Sequence, residues 1–246
     1  MTEVKRPVCA VIGAGDGLGA AIARAFSREG LTICVTRRPR NMEQVEALAE
    51  SIRAEGGEAR AFGVDARKED DVKAFVDKIE DQVGPLGVLV FNIGANVRFP
   101  VVETTAQVYS KVWEMAAFAG FLAGREAARV MTPRGRGTIL FTGATASLRG
   151  ASGFSAFAGA KHALRALAQS MARELGPKGV HVAHVVIEGA VDGAFIRSIM
   201  PDAAEKRERQ EILIPDDIAA NYVWLHRQPK SAWTFEMDLR PWAEIW

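Results

Sequence analysis

Short apolar runs and longer amphipathic runs alternate along most of the chain. Val8–Ile12 is apolar and rich in β-branched residues, the pattern of a strand buried on both faces. Leu18–Gly30 then places Ala21, Ile22, Ala25 and Phe26 at helical spacing and ends on a glycine. The pair repeats. Leu31–Thr36, Ala59–Val64, Gly87–Phe91, Thr138–Thr142 and Val180–Ile187 read as strands. Asn41–Glu55, Lys68–Val83, Thr104–Met131 and Ser152–Leu175 read as the helices between them, stopped by Gly56-Gly57, Gly84-Pro85, Pro133 and Gly176-Pro177. Strands and helices of these lengths in alternation predict the α/β class, with parallel βαβ units joined by right-handed crossovers. About seven strands in a doubly wound sheet, flanked by helices, would form one domain over residues 1–246.

After Gly189 the alternation weakens. The charged run Glu205–Arg209 reads as a solvated helix face, and its place after the sixth strand also lets residues 194–214 serve as a substrate lid. Pro215–Gln228 reads as a short amphipathic helix and Trp233–Leu239 as a last strand, and Trp242 and Trp246 are expected at the surface.

Composition narrows the class. Of 246 residues, 48% are hydrophobic and 25% charged, enough for a sizeable core. A formal net charge of +1 gives no electrostatic case for nucleic acid or a membrane surface. Cys9 and Cys34 fall in predicted strands and read as buried free thiols. So few cysteines fit a reducing compartment, and Met1–Pro7 is too polar for a signal peptide, so a cytoplasmic protein is expected. No metal is expected.

Between the first strand and first helix lies Gly13-Ala14-Gly15-Asp16-Gly17-Leu18-Gly19. A strand that turns into a helix through glycines makes an anion site. The helix end offers free N–H groups and partial positive charge, and missing Cβ atoms let a pyrophosphate approach the backbone. This context gives the sheet a Rossmann-type reading. Strand two runs into Arg37, Arg38 and Arg40, and no Asp or Glu occurs between Leu31 and Asn41. An acid there would hold the ribose of NAD, whereas arginine accommodates the 2′-phosphate of NADP, so NADP(H) is expected over NAD(H).

These residues resemble the short-chain dehydrogenase/reductase family over nearly the whole chain. The family's glycine motif matches Gly13, Gly17 and Gly19, its adenine-side Asp matches Asp65, its Asn-x-Gly matches Asn92 and Gly94, and its active-site lysine matches Lys161. The resemblance thus implies cofactor contacts at Gly13, Asp16, Gly17, Leu18, Gly19, Arg37, Arg38, Asp65, Asn92, Gly94, Lys161, Gly189 and Val191. It fails at the chemistry. The family's Tyr-x-x-x-Lys reads Phe157 to Lys161, its serine is Ala144, its helix asparagine is Ala117, and its Pro-Gly after strand six is Glu188-Gly189. Phenylalanine has no proton to give and alanine cannot steady an oxyanion.

Lys161 and Glu188 remain as candidate catalytic groups. Glu188 could pair with Lys161, meet an oxidised nicotinamide or act as a base; otherwise it is a solvated loop carboxylate. His162, one residue from Lys161, does not share its helix face. Tyr109 and Tyr222 lack the spacing to replace Phe157, and Tyr222 reads as packing. An apolar cavity with Phe99, Phe154, Phe157 and Phe195 is expected to take a small apolar carbonyl, enone or imine. The alternative is a dinucleotide-binding protein without redox activity: a sensor, ligand carrier or subunit partner. Chemistry without redox, resting on Glu188, is a third reading. The family pairs through its two long helices, so a homodimer or homotetramer is implied, with Phe118, Phe121 and Leu122 as apolar surface.

Overall fold

β1 (Val8–Ile12) lies inside a parallel sheet because every one of its side chains is apolar and buried. In the computed structural model, which describes residues 5–245, it pairs with β2 (Thr32–Arg37) on one side and β4 (Leu86–Phe91) on the other. β3 (Ala59–Gly63) extends the sheet beyond β2, and β5 (Gly137–Thr142), β6 (Val180–Ile187) and β7 (Glu236–Leu239) extend it beyond β4. The order is β3-β2-β1-β4-β5-β6-β7, all parallel. The chain reverses direction across the sheet between β1 and β4, and the crevice outside the strand ends there is where such folds hold ligands.

Alternate strand residues face opposite layers. Cys9, Val11, Ile33, Val35 and Val90 meet α1 (Leu18–Arg28), α2 (Met42–Ala54) and α9 (Pro215–Arg227) through Phe26, Val45, Ile52, Ile218 and Tyr222. Ala10, Ile12, Leu89, Phe91 and Phe141 meet α3 (Glu69–Gln82), α5 (Ala119–Met131) and α6 (Ser155–Leu175) through Phe75, Ile79, Leu122, Leu164 and Met171. Both cysteines are buried free thiols, and burial pushes Cys34 up to about 12 and Cys9 upward as well.

Two expectations need correction. The predicted helix over 104–131 is two α-segments, α4 (Ala106–Trp113) and α5, joined by a π-helical turn at Glu114–Phe118. Residue periodicity does not reveal one extra residue in a turn. Leu122 is 1% exposed and belongs to the core, not to an apolar surface. The segment after Gly189 forms two short helices, α7 (Ala194–Ile199) and α8 (Ala203–Glu208). Trp242 is exposed, as expected. Trp246 and the first four residues of the polar N-terminal segment lie outside the described residues. No helix among those described is long and apolar enough to cross a membrane.

Candidate active site

The turn from β1 into α1 is closed by two glycines that admit no side chain. Gly13 has φ +92°, and a Cβ there would lie 2.7 Å from the backbone oxygen of Asn92. A Cβ on Gly19 would lie 2.6 Å from the Gly13 oxygen. Asn92 locks the contact, its Nδ2 donating to Gly13 O at 3.1 Å. Gly15 and Gly17 meet nothing within 4 Å and leave the outer side of the turn open. No side chain caps α1, so its first N–H groups and the positive end of its dipole stay available there.

Beside this turn is a basic cavity of about 230 Å³, lined by Arg37, Arg38, Asp65 and Arg67 together with Gly13 and Thr36. Arg67 grips Asp65 with Nε at 2.9 Å and Nη2 at 2.6 Å, and these hydrogen bonds hold the Asp65 carboxyl below the usual carboxylate range. Arg37 donates to Gln44. The Arg38 guanidinium makes no hydrogen bond or ion pair among the described residues, and only its backbone oxygen is engaged, accepting from Asn41 N at 2.8 Å. Burial and then the positive charges of Arg40 and Arg67 lower its pKa, so an anion here would relieve a concentration of like charge. The Thr36 hydroxyl, 1% exposed, is buried without a partner on the same wall. Asp16, Gly15 and Arg37 border a further cavity of about 600 Å³ on the α1–α2 side.

Asn92, Ile93 and Gly94 form a wall common to the basic cavity and a second one of about 540 Å³. The second is lined mainly by apolar residues, among them Phe154, Phe157, Ile187 and Val191, with Leu18 and Gly189 at its border. Lys161 reaches it from α6. The amine is almost wholly buried, donates to Thr142 O at 2.8 Å and Ile93 O at 3.0 Å, and has no carboxylate partner among the described residues. Burial pushes its pKa down to about 7. The Phe157 ring stands beside it, 5.9 Å from Nζ to the ring centroid, and Ala144 completes that wall. Ala117 is buried in the π-helical turn and does not border the cavity.

Other candidates sit elsewhere. Glu188 neither pairs with Lys161 nor lies solvated in a loop. It is 2% exposed, and its Oε1 accepts from Arg149 Nη2 at 2.6 Å. A sequence cannot foresee that pair, because the partners come from loops 39 residues apart. Phe99 and Phe195 are exposed and stand off the cavity. His162 bonds Ala158 O at 2.8 Å within its own helix. Tyr222 is fully buried, its hydroxyl paired with Thr142 Oγ1 at 2.7 Å, and the Tyr109 hydroxyl lies against Gly159. Neither tyrosine borders the cavity.

Downstream of Gly189, Asp192 is 5% exposed and clamps the two short helices. It accepts from Arg197 at 2.8 Å through both oxygens and from Arg207 at 2.7 Å. Sequence reasoning passed over Gly15, Arg67 and Arg149. Gly15 was visible inside the glycine run and Arg67 stands two residues after Asp65, but nothing local marks Arg149, whose partner is 39 residues away.

A sequence model described as short chain dehydrogenase matches residues 7–203. The oxidoreductase YxjF of Bacillus subtilis (strain 168), itself uncharacterized, is 31% identical over 205 residues, 83% of this chain and 78% of that protein. Among solved structures, a short-chain dehydrogenase from Rhodopseudomonas palustris is 50% identical with TM-score 0.82, covering 96% of this chain and 99% of its own. A metagenomic short-chain oxidoreductase crystallised with NADP is 26% identical with TM-score 0.78 and 96% coverage of each chain. With the sheet order, the glycine turn and the buried lysine all in place, these matches show that the chain belongs to the short-chain dehydrogenase family.

Proposed function

We propose that this protein is an NADP(H)-dependent oxidoreductase acting on a small molecule with an apolar body, through a site without the family's tyrosine. The observation that carries the reading is the common wall of Asn92, Ile93 and Gly94. One extended ligand can run from the arginine cavity, past the glycine turn, to Lys161. The residues present fit such a cofactor. Gly15 and Gly17 leave room for a diphosphate, Arg37 and Arg38 for a 2′-phosphate, and the orphaned Thr36 hydroxyl for a polar group of the ligand. A metagenomic relative that binds NADP supports the same assignment. Cofactor contacts follow at Gly13, Asp16, Gly17, Leu18, Gly19, Asp65, Asn92, Gly94, Gly189 and Val191.

When bound, NADPH supplies hydride. Reduction of a carbonyl also needs a proton at oxygen, and the described side chains bordering the cavity include only two cations, Lys161 and Arg149. Guanidinium is too weak an acid for the task, whereas an amine pushed down to about 7 holds and releases a proton near neutral pH. Lys161 Nζ is therefore the acid in this reading, and an iminium substrate would need none. Glu188 is removed from the reacting centre by its bond to Arg149. Residues 194–214 act as the substrate lid, with Asp192 as its anchor.

Calorimetric titration tests the cofactor half. NADPH is expected to bind at least about tenfold more tightly than NADH, and Arg37→Ala with Arg38→Ala to erase that difference while leaving NADH affinity in place. Equal affinity for both in the natural protein would refute the assignment of the arginines. The second reading, a non-redox binding protein, is favoured by the absence of any tyrosine from the cavity.

The protein is further proposed to form a homodimer or homotetramer. Trp113, Phe118 and Phe121 stack along one helix face at 5.9 and 6.2 Å, with Trp113 and Phe121 about two-fifths exposed. Light-scattering mass in solution should give two or four copies, and Phe121→Asp should shift it toward one. A monomer at micromolar concentration would rule this out.

A further inference from the structure

Glu188 stands where the family has proline, and the chemistry above does not use it. β6 ends at Ile187, whose side chain borders the 540 Å³ cavity, while Glu188 turns behind that wall and is 2% exposed. A carboxylate buried there without a partner would be costly. Its partner is Arg149, on the turn after β5, where Arg149 N donates to Thr145 O at 3.2 Å. One Nη2 hydrogen bond, 2.6 Å long, ties the guanidinium to Glu188 from behind. Of the five N–H donors of an arginine, the others make no hydrogen bond among the described residues, and Arg149 itself borders the cavity with about half its side chain accessible. The same lining includes Lys161 but no Asp or Glu, and Phe154, Phe157 and Val191 supply its apolar part.

We propose that Arg149, positioned by Glu188, binds a carboxylate on the substrate, so that the substrate class is a small apolar molecule bearing one carboxylate group. The inference rests on reading this cavity as the substrate site. A tethered guanidinium offers planar, directional donors at little further entropic cost, which suits a carboxylate better than a neutral polar group. Arg149 acts as a specificity residue and Glu188 as its positioning residue. The apolar body then lies against Phe154 and Phe157, toward Lys161.

The test compares 3-phenylpropanoate with 3-phenylpropanamide, which match in size and differ in charge, by calorimetry on the protein saturated with NADP+. The natural protein is expected to bind the acid about tenfold more tightly than the amide. In the double variant Arg149→Gln/Glu188→Gln the preference should fall to within about twofold, with amide affinity retained. Changing both residues avoids leaving Glu188 buried and unpaired. A separate NADP+ titration checks that the variant is folded. Acid bound no more tightly than amide by the natural protein, including no binding of either, overturns the proposal. So does a preference of the same size in the double variant, which would assign it to Lys161. If the natural protein binds no NADP+, the cofactor reading fails on its own, and the acid–amide comparison on the free protein still decides this proposal.

Discussion

Phe157→Tyr combined with Ala144→Ser is expected to raise the rate of NADPH-dependent ketone reduction by roughly 10²–10⁴ over the natural protein. Phe157 is 7% exposed, packs with Val112 and Ala156, and borders the cavity beside Lys161, so an added hydroxyl has cavity space next to it. The ammonium form of Lys161 would favour the phenolate and make the new tyrosine a better acid. A hydroxyl at Ala144, on the same wall, adds an oxyanion donor of the kind worth roughly 10²–10³. The two act on one transition state, so their factors should not multiply. Single-turnover oxidation of NADPH with phenylglyoxylate measures the effect. A gain over measurable natural activity supports Lys161 as a serviceable but slower acid. Activity that exists only in the double variant would establish the natural protein as a dinucleotide binder without redox function. No gain at all would mean that Phe157 does not occupy the proton donor's place.

The second large effect is on stability against pH. Burial lowers the Lys161 pKa in the folded protein to about 7 from an ordinary 10.5. Between those values the unfolded chain carries a proton on this lysine that the folded protein has released. Stability from this group therefore rises with pH across that window, and below about pH 7 both states are protonated and its contribution is flat. Subtracting the stability of Lys161→Met isolates the lysine from Cys9 and Cys34. Burial pushes those thiols up, so they favour unfolding above their ordinary pKa. The difference, natural protein minus variant, should grow by roughly 3 kcal/mol between pH 7 and 9.5 in urea unfolding. A flat difference would show that the amine stays charged when buried, held as ammonium by Thr142 O and Ile93 O. It would then serve to bind the cofactor rather than to give a proton.

The strand and helix assignments show how far local pattern reaches. β1 was legible to the residue because an unbroken apolar run between polar turns suits a strand covered on both faces, and β6 because its valines and isoleucine outweigh two histidines, His181 and His184. The glycine turn was legible for a similar reason, since its conformation is set by residues adjacent in the chain. The π-helical turn was not, because it depends on how α4 and α5 pack against α6 rather than on their own spacing. Phe99 and Phe195 misled as cavity residues. Apolar character says that a side chain can be buried, not that a wall exists near it, and both stand exposed.

Charged residues divide along the same line. Arg37 and Arg38 could be placed because they follow a strand whose end is fixed by its pattern, beside a loop whose role was already clear. Glu188 could be singled out as unusual, but its bond to Arg149 arises where the loops after β5 and β6 converge. Arg67, by contrast, closes on Asp65 only two residues away, inside the turn after β3. By itself, then, the sequence determined the fold class, the glycine turn and the loss of the tyrosine hydroxyl, all properties of neighbouring residues or of residue chemistry. Tertiary structure alone decided that Lys161 is buried with no carboxylate partner among the described residues, that Glu188 pairs with Arg149, and that the arginine and lysine cavities have a common wall. Burial and electrostatic pairing are set by which distant segments meet, and their distances in space have no fixed relation to their distance along the chain.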